Sequence, residues 1–280
     1  MSFEQTKKYA PKTDELFKAE SKISLLTNTD YDWTGAHSIA VWKIATAAMN
    51  DYVRNVSESD DTTFSRFGKL LDLNTQTEEM LLKKDRSFIF NIDKLDEEES
   101  EEQVEAGSAL ARQLREVVIP EVDSYVYAQM AENAGTIAEA AALTAETAYD
   151  AIVVGTEVLD DAEVPETERV LVVSPEFYRI MKKSPEINLD CDIAAEQRLL
   201  GVIARVDGMD VVKVPSVRLP EGFGFMIAHP SATVAPVKLE DYGTHNNTPL
   251  SSGTIVTGRI VYDCFVLDNK KMAIYYHPVA

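Results

Sequence analysis

Apolar residues recur at helical spacing over residues 96–134, and this stretch separates two parts of the chain that differ in character. Acids at 96–102 suit the positive end of a helix dipole, and Gly135 is free to take a left-handed cap. Pro120 lies inside the pattern, where it removes a backbone donor and disfavours helix at Ile119. We predict one long helix with a kink or brief break at Pro120, the alternative being two ordinary helices divided there.

Extended segments precede this helix. Residues 38–48 and 77–93 carry strand-type residues and alternation, so we predict two strands that enclose residues 50–76 as a long hairpin loop. Residues 1–37 are polar apart from a short apolar patch at 21–26. They are typical of an arm that becomes ordered on a partner surface.

A mixed domain follows the helix. Residues 136–160 are rich in alanine and are predicted to be helical, and the apolar run 169–173 is predicted to be a buried strand. Ser174 followed by Pro and Glu is a start signal for a short helix. Residues 186–208 are predicted to be mostly loop. Further strands are predicted at 209–214 and 223–228, and an antiparallel hairpin at 254–276.

The charge of the chain is uneven. The net charge is −20 over 280 residues. Residues 95–168 hold 20 acids against Arg112 and Arg115, a balance of −18, while the remainder holds 27 acids and 25 bases. Such a density of acid repels nucleic acid. It indicates either a solvated face or a surface that faces a polyanion without binding it.

The residue types that carry chemistry are scattered. Cys191 and Cys264 have no partner at metal-ligand spacing, and the same holds for the four histidines, His37, His229, His245 and His277. Gly222 and Gly224 flank one residue, which is more typical of a turn than of a phosphate loop. We therefore predict no enzyme activity, no catalytic residue, no cofactor and no metal, although an acidic α/β enzyme with a dispersed site remains an alternative.

No apolar run is long enough to span a bilayer, and the first residues lack the apolar core of a secretion signal. The expectation is a protein without a membrane segment.

Several short blocks, in this order, resemble one family: the major capsid proteins of tailed bacteriophages, with the Hong Kong 97-type fold. The resemblance covers residues 38–277. The blocks are Ser38–Tyr52, Asp85–Asp93, Val117–Tyr125 (VVIPEVDSY), Arg169–Tyr178 (RVLVVSPEFY), Val211–Pro220, Ala228–Ala232 (AHPSA) and Gly258–Asp263 (GRIVYD).

This resemblance implies an α+β fold with a defined domain order. The expected parts are an N-terminal arm (1–37), an extended loop with flanking strands (38–94), the spine helix of a peripheral domain (95–135), an axial domain (136–245) and the closing strands of the peripheral domain (246–280).

The resemblance also implies a structural function: self-assembly, as pentamers and hexamers, into the icosahedral head that encloses double-stranded DNA. The expected partners are further copies of the chain, a portal protein, packaged DNA without sequence-specific contact and a separate scaffolding protein, because only about 37 residues precede the loop. Assembly would take place in the host cytoplasm, with the protein ending in the virion. Lys69, Lys83 and Lys84 lie near the loop, but no covalent crosslink is expected. An encapsulin-type shell protein is the alternative within the same fold.

The loop and the edge of the peripheral domain are the expected places for contact between subunits. The candidate contact residues are Tyr52, Arg54, Phe64, Arg66, Phe67, Lys69, Arg259 and Asp263.

Overall fold

The computed structural model describes residues 21–31, 38–44, 46–52, 54, 66–67, 72, 75–94, 106–185, 187, 202–246 and 252–280. The helices of this part are α1 (Ala106–Gln113), α2 (Ile119–Glu132), α3 (Ala148–Asp161) and α4 (Pro175–Met181). Its strands are β1 (Ser38–Ile44), β2 (Thr75–Leu81), β3 (Lys84–Asp93), β4 (Thr136–Ile137), β5 (Val170–Val173), β6 (Val202–Val206), β7 (Met209–Lys213), β8 (Phe223–Ala228), β9 (Thr233–Val234), β10 (Val237–Asn246), β11 (Gly253–Tyr262), β12 (Phe265–Val266) and β13 (Ile274–Pro278). None of the described helices is long and apolar enough to cross a membrane.

The chain divides into two compact units, residues 33–82 and the remainder. In the smaller unit, β1 and β2 pair antiparallel from Ser38 opposite Leu81 to Ile44 opposite Thr75. An ion pair of 2.8 Å between Lys43 and Glu78 crosses the two strands. The two predicted strands are present, but the returning one ends at Leu81, and β3 begins again at Lys84 as part of the larger unit.

The spine of the larger unit is a continuous helical segment, with α1 and α2 joined by one wide π-helical turn over Leu114–Val118. The Ile119 N–H bonds the Leu114 carbonyl five residues earlier. The irregularity predicted at Pro120 therefore lies just before the proline and does not break the helix. A wider turn relieves the clash of a proline ring with the preceding turn. The predicted first residues of this helix, 96–105, lie outside the described part.

The described strands of the larger unit form three sheets, the smallest of which is the antiparallel pair β12-β9. The three-stranded sheet has the order β10-β11-β3, all antiparallel. The six-stranded sheet has the order β4-β13-β8-β5-β7-β6, in which β5 runs parallel to β7 and antiparallel to β8. Side chains alternate along β5, so that Val170 and Val172 join the core that includes α2, while Leu171 and Val173 join the core under α3 and α4.

Local sequence signals are confirmed in this sheet. The strand predicted at 223–228 is β8, and the strand predicted at 169–173 is β5. Ser174 caps α4, because its Oγ accepts a 3.1 Å hydrogen bond from the Phe177 N–H.

Several predicted elements are wrong. Only residues 148–161 of the alanine-rich stretch form a helix, and the stretch predicted as loop contains β6, which a tight turn at Asp207-Gly208 joins to β7. The hairpin predicted at 254–276 does not exist, because β11 and β13 belong to different sheets. For the same reason the domain boundary predicted at 245/246 does not follow the sheets: β10 pairs with β11, whereas β13 pairs with β8 and β4.

Within the predicted arm (1–37), the apolar patch at 21–26 does not require a partner surface, contrary to the prediction, while residues 1–20 and 32–37 lie outside the described part. Ile23 is 9% exposed and Leu26 is fully buried in the core that includes α2. The Asn28 N–H donates to the Thr233 carbonyl at 2.9 Å, and its side-chain amide donates to the Ser231 carbonyl at 3.1 Å. Residues 21–31 thus form a strap that packs on their own chain, because the side chains of Ile23 and Leu26 are buried in the core of that chain.

Gly135 is needed for a close contact and not for a left-handed cap. Asn133 ends the helix with φ −101°, and Gly135 is not among the described glycines with positive φ. Its N–H donates to the Lys271 carbonyl at 2.9 Å, and a Cβ at this position would lie 2.4 Å from that carbonyl oxygen.

Substitution of Gly135 distinguishes these two roles. Both Gly135→Ala and Gly135→Asn should lower the free energy of unfolding by about 1–3 kcal/mol, since two backbones would have to separate. The control is Gly208→Asn, which should be tolerated because Gly208 has φ 76° and open space around it. Denaturant unfolding measures the free energy of unfolding of all three variants. If Gly135→Asn leaves this free energy unchanged, Gly135 acts as a helix cap and not through the close contact.

Candidate subunit interface

The smaller unit (residues 33–82), named the hairpin unit from here on, carries four of the predicted contact residues in its described part. Tyr52, Arg54, Arg66 and Phe67 are all exposed, and Phe67 is 79% exposed. The rings of Tyr52 and Phe67 meet edge to face with centroids 5.2 Å apart. The structure therefore brings two aromatic side chains from opposite sides of the loop together at the surface. Phe64 and Lys69 lie outside the described residues.

Arg259 lies on the surface of the three-stranded sheet. Its guanidinium holds both carboxylate oxygens of Asp85 in the adjacent strand, with an Nε–Oδ1 distance of 2.9 Å. Both side chains are about half exposed. This exposure leaves Arg259 available to a neighbouring subunit, and its role as a contact stays a prediction.

Asp263 is not at an edge, contrary to the prediction. The residue is 3% exposed, and its carboxylate accepts hydrogen bonds from the Tyr125 hydroxyl at 2.8 Å and from two backbone N–H groups, those of Lys83 and Cys264. A buried carboxylate with three donors orders the groups around it. Asp263 therefore holds the start of β3 and the end of β11 against α2.

Further contacts extend this network along α2. The Tyr125 and Tyr262 rings meet edge to face at 5.6 Å, and the Tyr262 hydroxyl donates to Glu121 at 3.1 Å. Arg86 of β3 pairs with the same carboxylate at 2.8 Å. Burial, together with the neighbouring Glu121 charge, raises the pKa of Tyr262 to about 12. The spine and the three-stranded sheet are thus joined by polar bonds as well as by apolar packing.

A second buried network lies at Asp123 and was missed in the sequence. Arg218, in the short 3₁₀ turn Ser216–Arg218, donates to Asp123 at 2.6 Å, and Ser21 of the strap donates to the other carboxylate oxygen at 2.7 Å. Burial raises the pKa of Asp123, although Ser21 and Arg218 oppose the rise. The sequence signal for this network was a carboxylate at a helix position between the apolar Val122 and Val126. No neighbouring residue indicated that its partner would be Arg218.

The described residues contain no group of three or more His, Cys, Asp and Glu side chains placed to hold a metal ion. A cavity of about 620 Å³ lies beside α4 and the last residues of the chain. Its polar lining includes Glu176, Glu221 and Ser174, whose hydroxyl already caps α4. The arrangement offers no nucleophile beside a base among these residues.

Solved phage structures share this fold over nearly their whole length. A structure of Mycobacterium phage Che8 is 18% identical, with a TM-score of 0.73 over 99% of this chain and 98% of that chain. The capsid structure of cyanophage P-SCSP1u is 16% identical, with a TM-score of 0.69 over 98% and 92%. The mature capsid of bacteriophage PhiM1 is 12% identical, with a TM-score of 0.70 over 99% and 92%. The chain therefore has the mixed helix-and-sheet Hong Kong 97-type fold that the resemblance implied.

No protein-family model and no curated protein sequence matches the chain. The similarity lies in the three-dimensional fold, at sequence identities of 9–18% for the solved structures compared.

The two predicted edge residues should differ sharply on substitution. Asp263→Asn should lower the free energy of unfolding by about 1–3 kcal/mol, because the new amide places a donor against a buried donor. Arg259→Ala removes an exposed ion pair and should cost only about 0–1 kcal/mol. Denaturant unfolding of the two variants checks the contrast, and equal costs would contradict a structural role for Asp263.

Proposed function

We propose that this chain is the structural subunit of the head of a tailed bacteriophage, where many copies form an icosahedral shell around packaged double-stranded DNA. The observation that carries the proposal is the similarity to phage capsids over 98–99% of the chain. That span includes both the hairpin unit and the larger unit. This similarity supports a structural, non-enzymatic role.

The surface of the hairpin unit supports assembly. Met49 is fully exposed, and the rings of Tyr52 and Phe67 are 51% and 79% exposed. A two-stranded hairpin is marginally stable alone, and exposed apolar groups gain free energy when another surface covers them. Tyr52, Arg54, Phe64, Arg66, Phe67 and Lys69 are therefore the proposed contacts to neighbouring copies, together with Arg259 on the larger unit. Asp263 is not among them.

The arrangement of copies follows from the kind of contact. The proposed contacts are heterologous, which means that they join different surfaces of adjacent copies. Contacts of this kind close into rings of defined size, here rings of five and six. A separate scaffolding protein and a portal protein complete the proposed set of partners, and assembly takes place in the host cytoplasm before the protein becomes part of the virion.

The acidic segment has a place in this function. Ten acids in residues 132–168 are all exposed: Glu132, Glu139, Glu146, Asp150, Glu157, Asp160, Asp161, Glu163, Glu166 and Glu168. The same segment contains no lysine or arginine. A surface of this kind repels DNA, so that packaged DNA slides over it without sequence-specific contact. We propose that most of these acids face the interior of the shell.

Particle size tests the proposed function. The purified chain should form hollow shells or rings of five and six in light scattering and negative-stain microscopy. DNA-filled rather than protein-filled particles in infected cells would separate a phage head from an encapsulin-type compartment. A stable monomer whose melting temperature rises with a small ligand would contradict assembly and favour an acidic enzyme.

The position of the acids is a separate test. In a density map of the shell, the majority of the ten exposed acids should line the inner surface. Finding most of them on the outer surface would rule out the repulsion argument while leaving the shell itself intact.

A further inference from the structure

Two lysine ammonium groups lie over one half-buried aromatic ring in this acidic protein. The ammonium groups of Lys182 and Lys213 lie 5.0 and 5.3 Å from the centroid of the Tyr178 ring, one after α4 and one at the end of β7. Lys22 of the strap lies beside Lys213, since its Nζ donates to the Lys213 carbonyl at 2.9 Å. We name Tyr178 and the exposed Lys182, Lys183 and Lys213 the Tyr178 patch.

Among the described residues, no carboxylate pairs with the three exposed lysines of this patch. Lys182, Lys183 and Lys213 are exposed, and none has a carboxylate within ion-pair distance among the described residues. The nearby Glu176 is turned toward Arg179 at 3.7 Å. Burial, followed by the charges of Lys213 and Arg218, lowers the pKa of Lys22, which agrees with a positive local potential.

A complementary surface exists on α3. Asp150, Glu157 and Asp161 follow one another at helical spacing on the side opposite the buried Ile152 and Leu159. Val153 and Val154 lie between them and are 39% and 48% exposed. We name this stripe of three acids and two valines the α3 stripe. It combines carboxylates for the lysines with apolar groups that suit the Tyr178 ring and the lysine stems.

The patch and the stripe lie on different parts of one domain. Gly155 places α3 against Ile227 of β8 and Tyr275 of β13, whereas the Tyr178 patch lies beside β7. Two strands, β8 and β5, separate β13 from β7, which corresponds to about 14 Å at ordinary strand spacing. Opposite charges at separate places on one molecule favour a head-to-tail contact, in which each copy offers one surface to each neighbour.

We propose that the Tyr178 patch of one copy binds the α3 stripe of a second copy. This contact rests on the proposed function, and it names surfaces through which neighbouring subunits of a ring meet. Nucleic acid is the less favoured occupant, because the net charge of −20 repels a polyanion during its approach. The contact uses three of the ten exposed acids and leaves the others available to the interior surface.

Mixed-isotope crosslinking detects the contact directly, in full-length protein at the concentration at which it self-associates. Equal amounts of ¹⁴N- and ¹⁵N-labelled chain are combined and treated with a carbodiimide, which joins lysines to carboxylates only at contact. The expected products join Lys182 or Lys213 to Asp150, Glu157 or Asp161, and about half carry one label from each copy. Products with matched labels only, or none between these peptides, would overturn the proposal.

Charge reversal provides the second measurement. Lys182→Glu with Lys213→Glu should weaken self-association, measured by light scattering, by about tenfold or more, because like charges would meet. Adding Asp150→Lys and Glu157→Lys to the same chain should restore self-association. Lys270→Glu with Lys271→Glu makes the same charge change on another exposed turn and should have no effect. Unchanged melting temperatures show that the variants remain folded.

The outcomes separate this contact from the shell itself. Normal particles and unchanged self-association of the charge-reversed variant would overturn the contact and leave the proposed function standing. Particles that persist while binding to a 30-base-pair DNA duplex is lost would assign the patch to nucleic acid and overturn it too. Mixed-isotope crosslinks in protein that never forms rings or shells would support the contact and count against the capsid function.

Discussion

Burial of α2 against the two larger sheets is the constraint on which the rest of the structure depends. Val126, Tyr127 and Met130 have no exposed surface, so one helix closes the core of the larger unit. The same helix carries Asp123 and Tyr125, whose polar bonds reach Arg218 and Asp263. Apolar packing supplies most of the stabilisation, while the buried polar bonds fix position, because breaking one leaves an unpaired group in the core.

This arrangement leaves the surface free for assembly. The groups that orient the sheets are buried, whereas the apolar residues of the hairpin unit and the charged surfaces of α3 and α4 are exposed. In the proposed assembly, the larger unit would present these surface groups to its neighbours without changing its own core. The separation of acid from base on that surface would then set the direction in which copies meet.

Elements with a local signal were predictable from the sequence, and the pairing of distant elements was not. An apolar run defined β8, and the Ser-Pro-Glu signal defined the start of α4, because each depends on neighbouring residues only. The hairpin expected at 254–276 failed because two strand-forming segments flank a turn signal at 268–270, and nothing local indicates that β11 and β13 enter different sheets. In the sequence, nothing near Asp263 indicates burial. The hydrogen bonds that satisfy its carboxylate come from a distant tyrosine and from two backbone N–H groups, which no local pattern reveals. The position of Gly135 after the helix predicts a cap, whereas the close approach of the Lys271 backbone, which requires the glycine, produces no pattern in the neighbouring sequence.

A reconstruction of the assembled particle by cryo-electron microscopy tests the central claim most directly. The account predicts an icosahedral shell in which every subunit has this fold and the hairpin unit of each copy lies against a neighbour. A closed particle of a few copies, with the rings of Tyr52 and Phe67 open to solvent in every copy, would contradict it.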